Sequence, residues 1–130
     1  MAVVPAGHLP VLWVDNAAVV SAPAEIDAAN AGDVLEGLLT AIRDGPGALI
    51  VDLTATTFCD SAAVHALVKA FKEAGASGVE LRLAAGGPAV SRLLEITGVD
   101  QLIGTYPTVL ESLIGKPPSP EAQPTSKAGG

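Results

Sequence analysis

Apolar and polar positions along this chain alternate between two periods. Val11–Val14 (VLWV) and residues 17–22 (AAVVSA) are short β-prone runs, and Asp15-Asn16 between them suits a hairpin turn. Val34, Leu35, Leu38, Leu39 and Ile42 then recur at helical spacing, with Asp27 and Asn30 as candidate caps and Gly45-Pro46-Gly47 as the stop. Residues 48–53 (ALIVDL) form a continuous apolar run with one acid near its end, the pattern of a central strand buried on both faces. Val64, Leu67, Val68 and Phe71 follow at i, i+3, i+4 and i+7, which predicts a helix ending near Gly75 with those side chains in the core.

The second half repeats the alternation. Residues 79–83 (VELRL) read as a strand with one more polar face. Gly86-Gly87-Pro88 opens a helix carrying Val90, Leu93, Leu94 and Thr97, closed by Gly98. Residues 102–106 (LIGTY) predict a short last strand, and Pro107 at the first helical position predicts a last helix through Val109, Leu110 and Leu113. The order β-β-α-β-α-β-α-(β)-α predicts one α/β domain over residues 11–114. Its central sheet is mixed, of four or five strands, with helices packed on it, because right-handed strand–helix–strand crossovers return parallel. Residues 1–10 are expected to be flexible and residues 115–130, rich in Pro, Ser and Gly, to be a disordered tail.

Composition narrows what such a domain does. The chain has 130 residues, 49% of them apolar but only 3% aromatic, so its core must come from Ala, Val, Leu and Ile. Its net charge is −7 with seven Lys and Arg, too few cations to displace counterions from nucleic-acid phosphates or to hold an anionic membrane surface. No run approaches the ~18 apolar residues of a membrane helix, and no signal-peptide pattern opens the chain. With a single cysteine, Cys59, no intramolecular disulfide is possible. A soluble, cytoplasmic protein is expected.

Chemistry concentrates where the central strand hands over to a helix, in "TFCDSAAVHAL". Strand carboxyl ends and helix N-termini are where ligands gather in α/β sheets. Ser61 there reads either as a helix cap or as an acceptor for phosphate, which the unpaired N–H groups of the helix start would tolerate. A phosphate would add about −1.5 to −2 charges to the surface at pH 7. Asp27, Asp52 and Asp60 form a conceivable but weak metal set, and no metal is expected. Ser61 with His65 four residues on is a conceivable hydrolase pair, though no Gly-x-Ser-x-Gly elbow surrounds the serine. Cys59 reads as a small buried hydrophobe under the turn. Trp13 and Tyr106 read as core or sheet-edge residues. Gly86-Gly87-Pro88 lacks the spacing and lysine of a phosphate loop.

Three blocks together resemble a known family. "IVDLTATTFCDSAAVHALV" (50–68), "AEIDAANA" (24–31) and residues 80–113 are similar, in order and spacing, to the signatures of the STAS domain, the family of bacterial anti-sigma factor antagonists. The resemblance implies a partner switch. The unphosphorylated antagonist binds an anti-sigma factor that is a serine kinase, and so frees a sigma factor for a stress response. The kinase phosphorylates the antagonist and releases it, and a metal-dependent serine phosphatase resets it. The family's acceptor serine corresponds to Ser61. Asp60 and Asp27, with Ala62, Ala63 and His65, then fall on the partner-binding surface. ATP belongs to the kinase, and the chain itself needs no cofactor and catalyses nothing. Ala62 and Ala63 stand where the family has a hydroxyl residue and a glycine, and Ala24 where it has a glycine before the acidic residue. A non-switching scaffold or sensor subunit, or a small-ligand-binding module, in which Ser61 only caps its helix, is the alternative.

Overall fold

The computed structural model describes residues 9–115. The expected flexible start and disordered tail therefore fall almost wholly outside the described residues. Strands β1 (Val11–Val14), β2 (Ala17–Ser21), β4 (Ala48–Asp52), β6 (Glu80–Ala84) and β7 (Gly104–Tyr106) form one sheet in the order β1-β2-β4-β6-β7. The β1–β2 pair is an antiparallel hairpin and every other pairing is parallel, so the sheet is mixed, as the element order predicts. The hairpin turns without glycine because Asp15 accepts the left-handed conformation, φ 54°. Two further strands, β3 (Glu25–Ile26) and β5 (Phe58–Cys59), pair in parallel as a separate two-stranded ribbon.

The sheet carries unequal covers. On one face, Ala18, Val20, Leu49, Val51, Leu81 and Leu83 join the main core with α1 (Ala31–Arg43), α2 (Ser61–Ala76) and α3 (Pro88–Thr97). On the other, Val19, Ile50 and Ala84 meet Val109 and Leu113 of the six-residue α5 (Val109–Ile114). The polar edge of β6 falls on this thinner side. Arg82 bonds Glu80 at 2.9 Å and donates to the Ser112 carbonyl at 2.9 Å, tying α5 down. The Arg82–Glu80 bond also holds the Glu80 carboxyl below its ordinary range and the Arg82 guanidinium above its own.

Several boundaries differ from expectation for identifiable reasons. The buried stripe of α2 is Ala63, Ala66, Leu67, Ala70 and Ala74, while Val64, Val68 and Phe71 are only half-buried at its flanks. α1 likewise buries small residues, Ala31, Gly37 and Ala41, beside Val34, Leu38 and Ile42. Small side chains on the buried faces let helices approach closely, which a search for large aliphatic residues overlooks. Beyond Gly98, which turns with φ 81°, a one-turn helix α4 (Val99–Leu102) replaces the start of the expected last strand. The last helix starts after Thr108, not at Pro107: the Thr108 hydroxyl accepts the Glu111 amide at 3.1 Å. Tyr106 is buried, and Trp13 is 46% exposed on the sheet edge. Gly86 is required by a close approach, since a Cβ there would stand 2.8 Å from the Pro107 carbonyl oxygen.

Candidate functional site

The site grows from the carboxyl end of β4. After Asp52 the chain turns sharply: the Asp52 carboxylate accepts the Thr54 amide at 2.9 Å and the Thr54 hydroxyl at 2.6 Å. That carboxylate is thus spent on its own turn. The side chain of Thr56 is 2% exposed and donates to the Pro23 carbonyl at 2.8 Å, and the Thr57 amide donates to the Ala24 carbonyl at 2.8 Å. These bonds stitch the loop after β4 to the loop after β2. The β3–β5 ribbon continues the seam, with Glu25 opposite Phe58 and Ile26 opposite Cys59.

The next residue on each strand of the ribbon is acidic. Parallel register therefore delivers Asp27 and Asp60 side by side at the ribbon's end, although they lie far apart in sequence. Each acid is used locally. Asp60 is the cap of α2, its carboxylate accepting the Ala62 amide at 2.9 Å and its own amide bonding the Ile26 carbonyl at 3.2 Å. Asp27 accepts the Ala29 amide at 2.9 Å, and its amide donates to the Asn30 side chain at 2.9 Å. Asn30 in turn donates to the Glu25 carbonyl at 2.8 Å, closing the loop that leads into α1.

Ser61 is therefore not the cap. It is the first helical residue of α2 and is exposed, and among the described residues its hydroxyl has no hydrogen-bond partner. The helix start supplies donors beside it, where negative charge is favoured. Ala62 is half-buried, and Ala63 is 1% exposed with its methyl in the main core. His65 is exposed one turn further along. Ser61, Ala62, His65 and Lys69 share a shallow groove with Ala31, Gly32 and Leu35 of α1, but no hydrogen bond joins Ser61 to His65 among the described residues. The groove runs on between the helices past Leu39, Val68 and Lys72.

Cys59 is half-buried beneath this turn, and burial, with a smaller contribution from the Asp60 charge, pushes its thiol pKa up. The shift disfavours the reactive thiolate, in keeping with a packing role. Among the described residues no group of three His, Cys, Asp or Glu side chains could hold a metal ion, and Asp52 stands apart in its own turn. Sequence reasoning missed two features of the site. Phe58 is 50% exposed immediately before the Cys59-Asp60-Ser61 turn. The ribbon itself has strands of two residues, too short to show any alternation.

This architecture is that of a known domain. The STAS domain family model matches residues 10–112, and the chain belongs to that family. RsfB of Mycobacterium tuberculosis, named an anti-sigma-F factor antagonist, is 29% identical over 101 residues, covering 78% of this chain and 82% of that protein. Rv2638 of the same species is 37% identical over 71 residues, 55% of this chain and 47% of that protein, so this chain spans about half its length. Among solved structures, an anti-sigma factor antagonist from Mycobacterium paratuberculosis superposes with a TM-score of 0.75 at 28% identity, covering 87% of this chain and 97% of that one. The unphosphorylated form of the anti-sigma factor antagonist SpoIIAA shares the fold, with a TM-score of 0.67 at 20% identity over 81% of this chain and 92% of that one.

Proposed function

We propose that this chain is an anti-sigma factor antagonist controlled by phosphorylation of Ser61. Unphosphorylated, it binds an anti-sigma factor serine kinase and so frees a sigma factor. Phosphate transferred from the kinase's ATP to the Ser61 oxygen releases it, and a serine phosphatase restores the binding form. The names of the relatives support the role, and one observation supports the switch. The cap is Asp60, so the exposed hydroxyl of Ser61 is spare. Modification there removes no fold-holding bond, and it puts about two negative charges next to the carboxylates of Asp60 and Asp27. Those three groups, with exposed Phe58 and His65 on either side, form the docking surface. The added charge and bulk change what that surface presents to a partner that binds it unmodified.

The test is phosphorylation in vitro. Incubation with the cognate kinase and ATP is expected to add one phosphate to the wild type by intact mass and none to Ser61→Ala. Ser61→Asp is expected to lose binding to the anti-sigma factor. A wild type that gains no mass, or a Ser61→Asp that binds as well as wild type, refutes the switch. Hydrolysis of an ester substrate that disappears in His65→Ala would support instead the Ser61–His65 enzyme reading.

A further inference from the structure

The outer edge of β1 is uncharged and apolar: Val11 is 44% exposed, Leu12 65%, Trp13 46% and Val14 37%. Among the described residues no strand pairs with it. Natural edge strands are guarded by charge, proline or a bulge, because open N–H and C=O groups template a further strand. The proline here does not guard the edge. The Ser21 amide donates to the Pro10 carbonyl at 3.0 Å, so Pro10 spends its backbone on the β2 side. Alternation along an antiparallel pair then turns the backbone groups of Leu12 and Val14 toward β2 as well. Those of Val11 and Trp13 face outward.

We propose that this edge pairs with the same edge of a second copy, antiparallel across a two-fold axis at Leu12. The outward-facing residues fix that register. Val11 of each copy exchanges both backbone hydrogen bonds with Trp13 of the other, which satisfies all the outward groups of the strand. Leu12 then lies against its own counterpart on the face that carries α5, and the Val11 and Trp13 side chains meet on the helix-covered face that bears Val20 and Ala18. The pairing is self-complementary, as a two-fold interface demands. It is also compatible with an acidic chain. The nearest charge, Asp15, lies three positions from the axis, so the two copies of Asp15 stand about 20 Å apart, at least twice the screening length at physiological salt. An acidic or basic partner, by contrast, finds no charge on the strand to read. The two Ser61 turns stay open, because β1 stands two places from β4 in the sheet.

A strand this short buries well under the ~800 Å² per partner of a stable interface, so the dimer is expected to dissociate on dilution through the micromolar range. Trp13 is the only tryptophan of the chain, so its emission reports on this edge alone. The experiment combines sedimentation equilibrium with tryptophan fluorescence on the full chain, between about 1 and 500 µM, a range that brackets such an affinity. The expected result is a mass rising toward twice the chain mass, with the emission shifting to the blue over the same range. Val11→Pro removes an outward donor and Leu12→Lys sets two lysines face to face. Both are expected to stay monomeric with a native circular dichroism spectrum. A wild type that keeps the mass of one chain at the highest concentration overturns the proposal. So does a dimer that survives both substitutions, since its interface lies elsewhere. A blue emission independent of concentration in a monomer also overturns it, because the chain's own terminal residues then cover the edge.

Discussion

Asp60 and Ser61 are neighbours, and the structure gives them opposite consequences for stability. The Asp60 carboxylate accepts the Ala62 amide at 2.9 Å at the start of a 16-residue helix. Replacing it with alanine orphans that amide and is expected to cost about 1 kcal/mol. Asp60→Asn keeps an accepting oxygen and loses only the charge at the positive end of the helix, about 0.3–0.5 kcal/mol. Ser61→Ala removes a hydroxyl without a partner and adds a better helix former, so it is expected within about 0.5 kcal/mol of wild type, on the stabilising side. Urea unfolding followed by circular dichroism reads all three. With a slope of about 1.5 kcal/mol/M, Asp60→Ala lowers the midpoint by ~0.7 M and Ser61→Ala leaves it level or slightly raised. Asp60 is not the cap if Ser61→Ala loses about 1 kcal/mol while Asp60→Ala loses almost nothing, because the serine would then hold that place. Phosphorylation would in that case cost the helix its start. The same measurement shows whether Ser61→Ala and Ser61→Asp test binding or merely folding.

Other consequences are as direct. Thr56→Val leaves the Pro23 carbonyl without the buried hydroxyl that now sits 2.8 Å away, and is expected to cost about 1–2 kcal/mol in the same urea assay. A cost near zero would mean that the seam does not need that bond. Ala63→Gly removes a methyl that is 1% exposed and loosens the helix, so a loss of about 1–2 kcal/mol is expected. If backbone stiffness limits the kinase, that variant gains phosphate faster than wild type in the intact-mass assay despite its lower stability. The raised pKa of Cys59 means that less thiolate is present than in an unfolded chain, so iodoacetamide at pH 8 is expected to react more slowly with the native protein than with the protein in urea. Asp60→Asn should recover only part of the difference, because burial is the larger cause. The sign for stability follows: Cys59 favours the fold below its unfolded pKa, and that contribution is lost as pH rises beyond about 9. Equal alkylation rates for native and unfolded chains would contradict the burial.

What was legible in the sequence divides along the length of the elements. β2, β4 and β6 and helices α1 to α3 show their period clearly, because each buries a face over five or more residues. The parallel order followed from their alternation. What stayed hidden was of two kinds. Alanine counts little in a pattern of large apolar side chains, so the stripe of Ala63, Ala66, Ala70 and Ala74 was missed although, with the expected Leu67, it is the surface that α2 buries. The β3–β5 ribbon was hidden because two residues have no period, and its partner strands are held by bonds from Thr56 and Thr57 to carbonyls 33 residues away. Such long-range bonds leave no local trace.

The ribbon is also what makes the site more than a helix start. Ser61 by itself would be one exposed hydroxyl after a buried strand, on a surface set only by its own turn. Pairing Ile26 with Cys59 fixes the height at which Asp27 leaves the first loop, and the Asp60 amide bonded to the Ile26 carbonyl fixes α2 to the same point. Ser61 therefore follows an acid that parallel register sets beside a second acid from a distant part of the chain. Neither depends on the serine hydroxyl for its position, since Asp27 is held through Asn30 and Ala29 and Asp60 through Ala62. A surface built this way can change charge at one atom while everything around it keeps its bonds. That separates this serine from Thr54, whose hydroxyl is bonded to the Asp52 carboxylate at 2.6 Å. Phosphate on Thr54 would break the turn that carries the chain out of the sheet, whereas phosphate on Ser61 would alter only what the surface presents.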